Sequence, residues 1–255
     1  MSRATKNDSP AASAQTTGQR IRTRRTRSPE RPAVSAVWPG VLGGGFKPLT
    51  AEQTEAIHHA ALGVLETTGM GDVPAVVADA LAPKGMKIGT DGRLCFPRAL
   101  VEDTIAAARR NIVLWGQRAD TALELQGNRV YTGSGGAAPN IIDRHSGSYR
   151  PSTLLDLYDA ARVVDALEHI HFFCRSLVAT DLTDPLTLDI NTAFACLAGT
   201  SKHVTVQASR PENVALLAEL AHHVAGGAEA FAQRPILSLN INHVVPPLRF
   251  DADSA

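Results

Sequence analysis

From about Asn128 onward, short β-branched and apolar runs alternate with longer stretches whose apolar residues recur at helical spacing. The runs are Arg129–Thr132, His169–Val178, His203–Gln207 and Pro235–Asn242. Their starts lie roughly 30–40 residues apart, the length of one strand, a crossover helix and the return. Between the first and second, Thr153 opens a helix with Leu154, Leu157, Ala161, Val164 and Leu167 on one face. Between the second and third, Asp184-Pro185 precedes a helix over Asp189–Ala198. Pro211 starts a third helix, with Val214, Leu217, Ala218, Ala221 and Val224 as its stripe and Gly226-Gly227 as its stop. The pattern predicts an α/β chain with about four parallel βα units over residues 128–255. That is half of a (β/α)8 TIM-type barrel, which takes about 250 residues when complete. An incomplete barrel leaves bare edges at its first and fourth strands, and bare edges invite a second chain, either another copy or a complementary half-barrel.

Upstream, residues 41–127 read as an α+β region. Thr50 and Gln53 form a capping box ahead of Ile57, Ala60, Ala61, Val64 and Leu65, and Gly69 ends that helix. A second helix is expected over Val73–Leu81. Asp91-Gly92 marks a hairpin between Met86–Ile88 and Arg93–Phe96, and a third helix follows Pro97 to about Arg109. Asn111–Gly116 and Ala122–Leu125 read as short strands. Residues 1–40 form a basic tail, expected to be disordered because it holds too little apolar surface to offset chain entropy.

Charge sharpens this division. The 255 residues balance at zero net charge, yet eight of the 25 Lys and Arg fall in residues 1–40 against two acidic residues. The remainder carries 17 basic and 23 acidic residues, so the folded part is mildly acidic and no nucleic-acid partner is expected. No run approaches the roughly 18 apolar residues of a transmembrane helix. Three cysteines, odd in number and far apart, fit free thiols in a reducing compartment, so a cytoplasmic location is expected.

In parallel α/β sheets, sites form beyond the carboxyl ends of the strands. The polar residues there are Gly135 and Gly136 in a glycine-rich loop, Arg175 after the second strand, Gln207 after the third, and Asn240, Asn242 and His243 after the fourth. They form a hydrogen-bonding set for a small molecule, with no carboxylate pair and no nucleophile–base pair, so no catalytic residue is named. His169 and His171 share a strand face as metal ligands can, but they precede the apolar run; they are expected at the opposite rim as solvated residues, as is His203, and no metal site is predicted.

The segments Gly44-Gly45-Phe46-Lys47-Pro48-Leu49-Thr50, Val130-Tyr131-Thr132-Gly133-Ser134-Gly135-Gly136-Ala137-Ala138-Pro139, Arg150-Pro151-Ser152-Thr153-Leu154-Leu155-Asp156-Leu157, Thr200-Ser201-Lys202-His203-Val204 and Pro246-Pro247-Leu248-Arg249-Phe250-Asp251 occur in this order. Together they resemble the trimethylamine methyltransferase family. The resemblance implies a (β/α)8 barrel of which this chain is the N-terminal half. It also implies methyl transfer from trimethylamine, or from a quaternary amine such as glycine betaine, to a corrinoid (cobalamin) carried by a partner protein, with no cofactor bound by the chain itself. Two other readings stay open: a complete small α/β metal-dependent hydrolase using His169 and His171, and a non-catalytic remnant that binds amine or corrinoid protein.

Overall fold

The computed structural model describes residues 37–86 and 88–252, and the expected tail lies outside them up to residue 36. The first described elements are β1 (Val41–Leu42), α1 (Ala51–Thr67), α2 (Ala75–Leu81) and α3 (Arg98–Ala107). Thr50 Oγ1 accepts from Gln53 N at 3.2 Å, and Gln53 Oε1 accepts from Thr50 N at 2.9 Å, completing the expected capping box. The expected buried stripe on α1 does not form. Only Leu62 is buried, and Ile57 and Val64 are 58% and 43% exposed, although α1 is in contact with α3. Pro74 caps α2, so that helix starts two residues later than its apolar pattern suggests. Leu94 pairs antiparallel with both Ile88 and Met70, which widens the expected hairpin into a three-way junction. β2 (Ile112–Leu114) and β3 (Leu123–Leu125) pair antiparallel, within the ranges expected.

The next strand, β4 (Arg129–Val130), pairs antiparallel with β1. The bare edge expected at the first parallel strand is therefore partly covered by the chain's own entry segment. A hairpin of β5 (Asn140–Ile142) and β6 (Tyr149–Pro151) follows. It leads into α4 (Leu154–Ala166), whose N-terminus carries a second capping box between Thr153 and Asp156. Then come β7 (Phe173–Cys174), α5 (Pro185–Gly199), β8 (Val204–Val206), α6 (Asn213–Ala225), α7 (Ala228–Gln233) and β9 (Leu237–Leu239). Asp184 caps α5 through Thr187 N at 2.8 Å and Pro185 occupies its first turn, so this helix begins four residues before the expected Asp189.

β7, β8 and β9 form a parallel sheet in that order, with Phe173 opposite Val204 and Val204 opposite Leu237. The segment after β4 joins β7 through single parallel bridges, Gly133 with Phe172 and Ala138 with Leu177. The strands are shorter than their apolar runs. The result is a mixed α/β fold with several small sheets and no closed barrel among the described residues. Among the described residues no strand pairs with the outer edge of β9.

The core lies between this sheet and α4, α5 and α6. Phe173, Val204, Val206 and Leu237 face Leu157, Ala161, Val164, Ala193, Cys196, Leu197, Leu217 and Ala221. Each large apolar side chain buried here contributes roughly 1.5–3 kcal/mol. α4 and α5 approach closely at Gly199, where an added Cβ would stand 2.6 Å from the Ala161 methyl. The other sheet face is polar, with Cys174, Thr205 and Ser238 in one cross-strand row. The chain ends its described part in β10 (Val244–Val245) and β11 (Arg249–Phe250), an antiparallel pair that returns to the N-terminal region. There Gly71 N donates to Leu248 O at 2.9 Å and Phe250 N to Gly71 O at 2.9 Å. Arg93 donates to Thr68 O, Gly69 O and Leu248 O, tying α1 to this hairpin.

Candidate functional site

A cleft of about 560 Å³ opens beyond the carboxyl ends of β7, β8 and β9. Arg175, Gln207, Arg210, Asn240, Asn242 and Asp251 supply its polar lining. A smaller recess of about 120 Å³, lined in part by Gly136, Cys174 and Thr205, shares Arg175, Gln207 and Asn240 with it. Five sequence-predicted residues, Gly136, Arg175, Gln207, Asn240 and Asn242, therefore line one or both spaces. Gly135 sits beside Gly136 on the same loop and lines neither. His243 is exposed past the end of β9 and lines neither.

The central contact is between Arg175 Nη2 and Gln207 Oε1, at 2.5 Å. With its oxygen committed to the guanidinium, the Gln207 amide keeps its two N–H donors for a ligand. Three anchors hold the rim. Ser134 Oγ donates to Cys174 O at 2.6 Å and accepts from Cys174 N at 2.9 Å, so its side chain replaces a ladder step and fixes the glycine-rich loop on β7. Buried Ser152 donates to Val178 O at 2.7 Å and Ala138 O at 3.2 Å, joining the ends of the first two parallel segments. Buried Asp189 on α5 accepts from Ser209 N and Ser209 Oγ, each at 2.7 Å, and from Asn213 Nδ2 at 2.8 Å. That carboxylate holds the loop that carries Arg210.

Sequence reasoning missed Ser209, Arg210, Asp251 and Asp189. Asp189 had a readable signal, since a charge among the apolar residues of a covering helix has to be paired. Arg210 and Asp251 join the cleft only through loop paths that no periodicity encodes.

The opposite end of the sheet is closed and internally satisfied. Lys202 is fully buried, and its Nζ donates to Val164 O, Leu167 O and Ile170 O, all at 2.7 Å, where α4 ends. Burial pushes its pKa down, while nearby Asp165 opposes the shift. For Asp165 burial works upward, but hydrogen bonds from Ser201 and Thr200 and the charge of Lys202 carry its pKa below the ordinary value. His203, expected to be solvated, is buried instead. Its Nδ1 lies 2.8 Å from Trp115 O and its Nε2 lies 3.0 Å from Ser238 Oγ. Donation from Nδ1 to the carbonyl and acceptance at Nε2 from the serine describe a neutral ring, and burial lowers its pKa accordingly.

His171 is also buried rather than solvated, with its Nδ1 near Thr132 N at 2.9 Å. Burial lowers its pKa. His169 stays outside, its ring against Trp38. The pair does not converge on a ligand, and among the described residues no group of three or more His, Cys, Asp and Glu is arranged to hold a metal ion. No described helix is long and apolar enough to cross a membrane.

Comparison with known proteins gives a consistent family. The model of a family described as trimethylamine methyltransferase (MTTB) matches residues 17–255. The trimethylamine methyltransferase MttB of Desulfitobacterium hafniense is 29% identical over 212 residues, covering 83% of this chain and 42% of that protein. MttB1 of Methanosarcina mazei is 25% identical over 195 residues, covering 74% of this chain and 39% of the relative. MttB of Methanosarcina thermophila is 26% identical over 196 residues, covering 74% and 40%. The chain thus spans about two fifths of the length of the curated relatives it matches.

Proposed function

This chain belongs to the trimethylamine methyltransferase family, and from that premise we propose that it carries the substrate-orienting part of an enzyme that moves a methyl group from a methylated amine to a corrinoid protein. We read its four parallel segments as one arc of an incomplete (β/α)8 barrel, since they lie side by side in chain order with helices on one face. In this reading the unpaired edge of β9 takes a complementary half-barrel chain or a second copy. The three free thiols support a cytoplasmic setting.

The observation that carries the proposal is the lining of the main cleft. Arg175 and Arg210 bring positive charge, Asp251 brings negative charge, and Gln207, Asn240 and Asn242 bring neutral donors and acceptors. That arrangement suits a zwitterion better than a bare ammonium. The carboxylate of a quaternary amine such as glycine betaine would meet the guanidinium groups, and its ammonium would meet Asp251. Trimethylamine offers no anionic handle, so it would face the same cations uncompensated.

The chain's task is positioning: holding one C–N bond in line with the acceptor while excluding water. In this reading the corrinoid is carried by the partner protein. When docked, the corrinoid's reduced cobalt would supply the nucleophile. Arg175 would bind the substrate carboxylate, with Gln207 fixing the guanidinium plane, and Asn240 and Asn242 would set the ligand's orientation from β9.

Calorimetric titration of the full chain with glycine betaine and with trimethylamine tests this, followed by methyl transfer to reduced cobalamin. Glycine betaine is expected to bind more tightly, with at least a tenfold loss in Arg175→Gln. Equal affinity for the two amines, or no effect of Arg175→Gln, would overturn the substrate assignment.

A further inference from the structure

At the amino end of β9, remote from the cleft, one cation has no counterpart. Arg234 lies over the Trp115 ring, its guanidinium carbon 5.2 Å from the ring centroid. Its Nε and Nη2 are buried and have no hydrogen-bond partner among the described residues. These two nitrogens form one edge of the guanidinium, with their N–H bonds pointing the same way. The same edge is satisfied elsewhere in this chain, where Arg118 Nε meets Asp120 Oδ1 at 3.0 Å and Nη2 meets Oδ2 at 2.6 Å. It is the edge that grips two oxygens of a carboxylate or phosphate at once.

Beside Arg234 lies a cavity of about 150 Å³, lined also by Gly116, Gln117, Gln233 and Ile236. Gln117 Nε2 is committed to Leu197 O at 2.6 Å and Thr200 O at 2.8 Å, which fixes that wall. A buried charged donor without an acceptor costs upward of about 1–3 kcal/mol. Trp115 attracts the guanidinium through its face but supplies no acceptor to the edge. The cavity has room for about five waters at roughly 30 Å³ each, which is also enough for an anion of four or five heavy atoms.

We propose that this recess is a binding site for a small oxyanion of the carboxylate or phosphate class, taken up when the edge of Arg234, closed to water in this structure, turns into the recess beside Trp115 and grips it bidentately. It lies at the end of β9 opposite Asn240 and Asn242 and is independent of the amine cleft. Its occupation links the Trp115 loop, the start of β9 and α7.

Trp115 reports on the site. The chain has two tryptophans, so Trp38→Phe leaves Trp115 as the single indole emitter. In that background, inorganic phosphate, sulfate and acetate are titrated at ionic strength held constant with sodium chloride. A saturable change in emission is expected with at least one of the three, and which one responds separates the phosphate class from the carboxylate class. Arg234→Lys keeps the charge but loses the fork, and should weaken that response at least tenfold. Arg234→Met should abolish it; if that variant does not fold by circular dichroism, the lysine variant carries the test. No saturable response to any of the three anions, or an unchanged affinity in Arg234→Lys, would overturn the assignment and leave the recess to water.

Discussion

Replacing Asp189 by alanine should separate the support of the cleft from the cleft itself. The carboxylate is 1% exposed and takes three donors at 2.7, 2.7 and 2.8 Å. In Asp189→Ala the Ser209 hydroxyl can turn elsewhere, but Ser209 N–H and the Asn213 amide are left buried without an acceptor. At about 1–3 kcal/mol for each orphaned donor, less some relief from no longer burying a charge, the loss should be about 3–4 kcal/mol. Asp189→Asn should cost less. Its amide oxygen can take the Oδ2 position, which now serves both N–H donors, while the Ser209 hydroxyl turns to accept from the new NH₂. Only charge assistance is then lost, about 1–2 kcal/mol. At roughly 2–4 °C per kcal/mol for a chain of this size, the alanine variant should melt about 6–16 °C below the parent and the asparagine variant well short of that. Thermal melts followed by circular dichroism, with urea midpoints as a check, measure both. An alanine variant within about 1 kcal/mol of the parent, or an asparagine variant below the alanine one, would refute the bonding scheme.

Gly133→Ala should destabilise the glycine-rich loop by about 1–3 kcal/mol, because an added Cβ would run into the Phe172 ring; Gly135→Ala, where a Cβ meets nothing, should leave the urea midpoint unchanged. The neutral form of His203 is favoured by folding, since its pKa lies below the ordinary 6.5; its contribution is complete above pH 6.5 and is lost as pH falls toward the folded value. Melting temperature should therefore drop between pH 7.5 and 5.5, and by less in His203→Asn, whereas an equal drop in both would count against the buried neutral ring. Burial pushes the Cys196 thiol up to about 12, so under native conditions a thiol-specific disulfide reagent should label it last and only on unfolding, with mass spectrometry locating the sites.

The parts of the fold legible in the sequence were those governed by helix and strand periodicity. The capping box at Thr50, the helix start at Thr153, the stripe of Leu157, Ala161 and Val164, and the chain order of the parallel segments all follow from local patterns. What escaped depends on distant partners. The apolar side of α1 looks like a core face by spacing, yet burial is decided by what packs against it, and in α1 only Leu62 is buried. His203 and Lys202 read as polar residues at a strand entry, where solvent is the default. Their burial requires carbonyls from Trp115 and from the end of α4, which no local rule foresees. The candidate site was legible where a strand's carboxyl end turns polar and illegible where a loop doubles back, as at Arg210 and Asp251.

The two ends of the parallel sheet hold similar inventories of polar residues and use them in opposite ways. At the amino end Lys202, Asp165, His203 and Gln117 are closed upon protein carbonyls and hydroxyls, so their bonds contribute to stability and leave little for a ligand. At the carboxyl end Arg175, Gln207, Asn240 and Asn242 face open space, and only one bond, Arg175 to Gln207, joins them to each other. Ordering these side chains around solvent adds little to the fold, and under the proposed function a ligand accounts for their grouping. Arg234 is the exception at the amino end, a cation with its gripping edge buried and unmet. By the same reasoning it is where this otherwise self-satisfied end should still take a molecule from solution. If Arg234→Met does not lower the melting temperature in chloride but removes the stabilisation gained from the responding anion, the two ends will have been told apart by one rule: polar groups that the protein satisfies hold the fold, and polar groups that it leaves unmet hold a ligand.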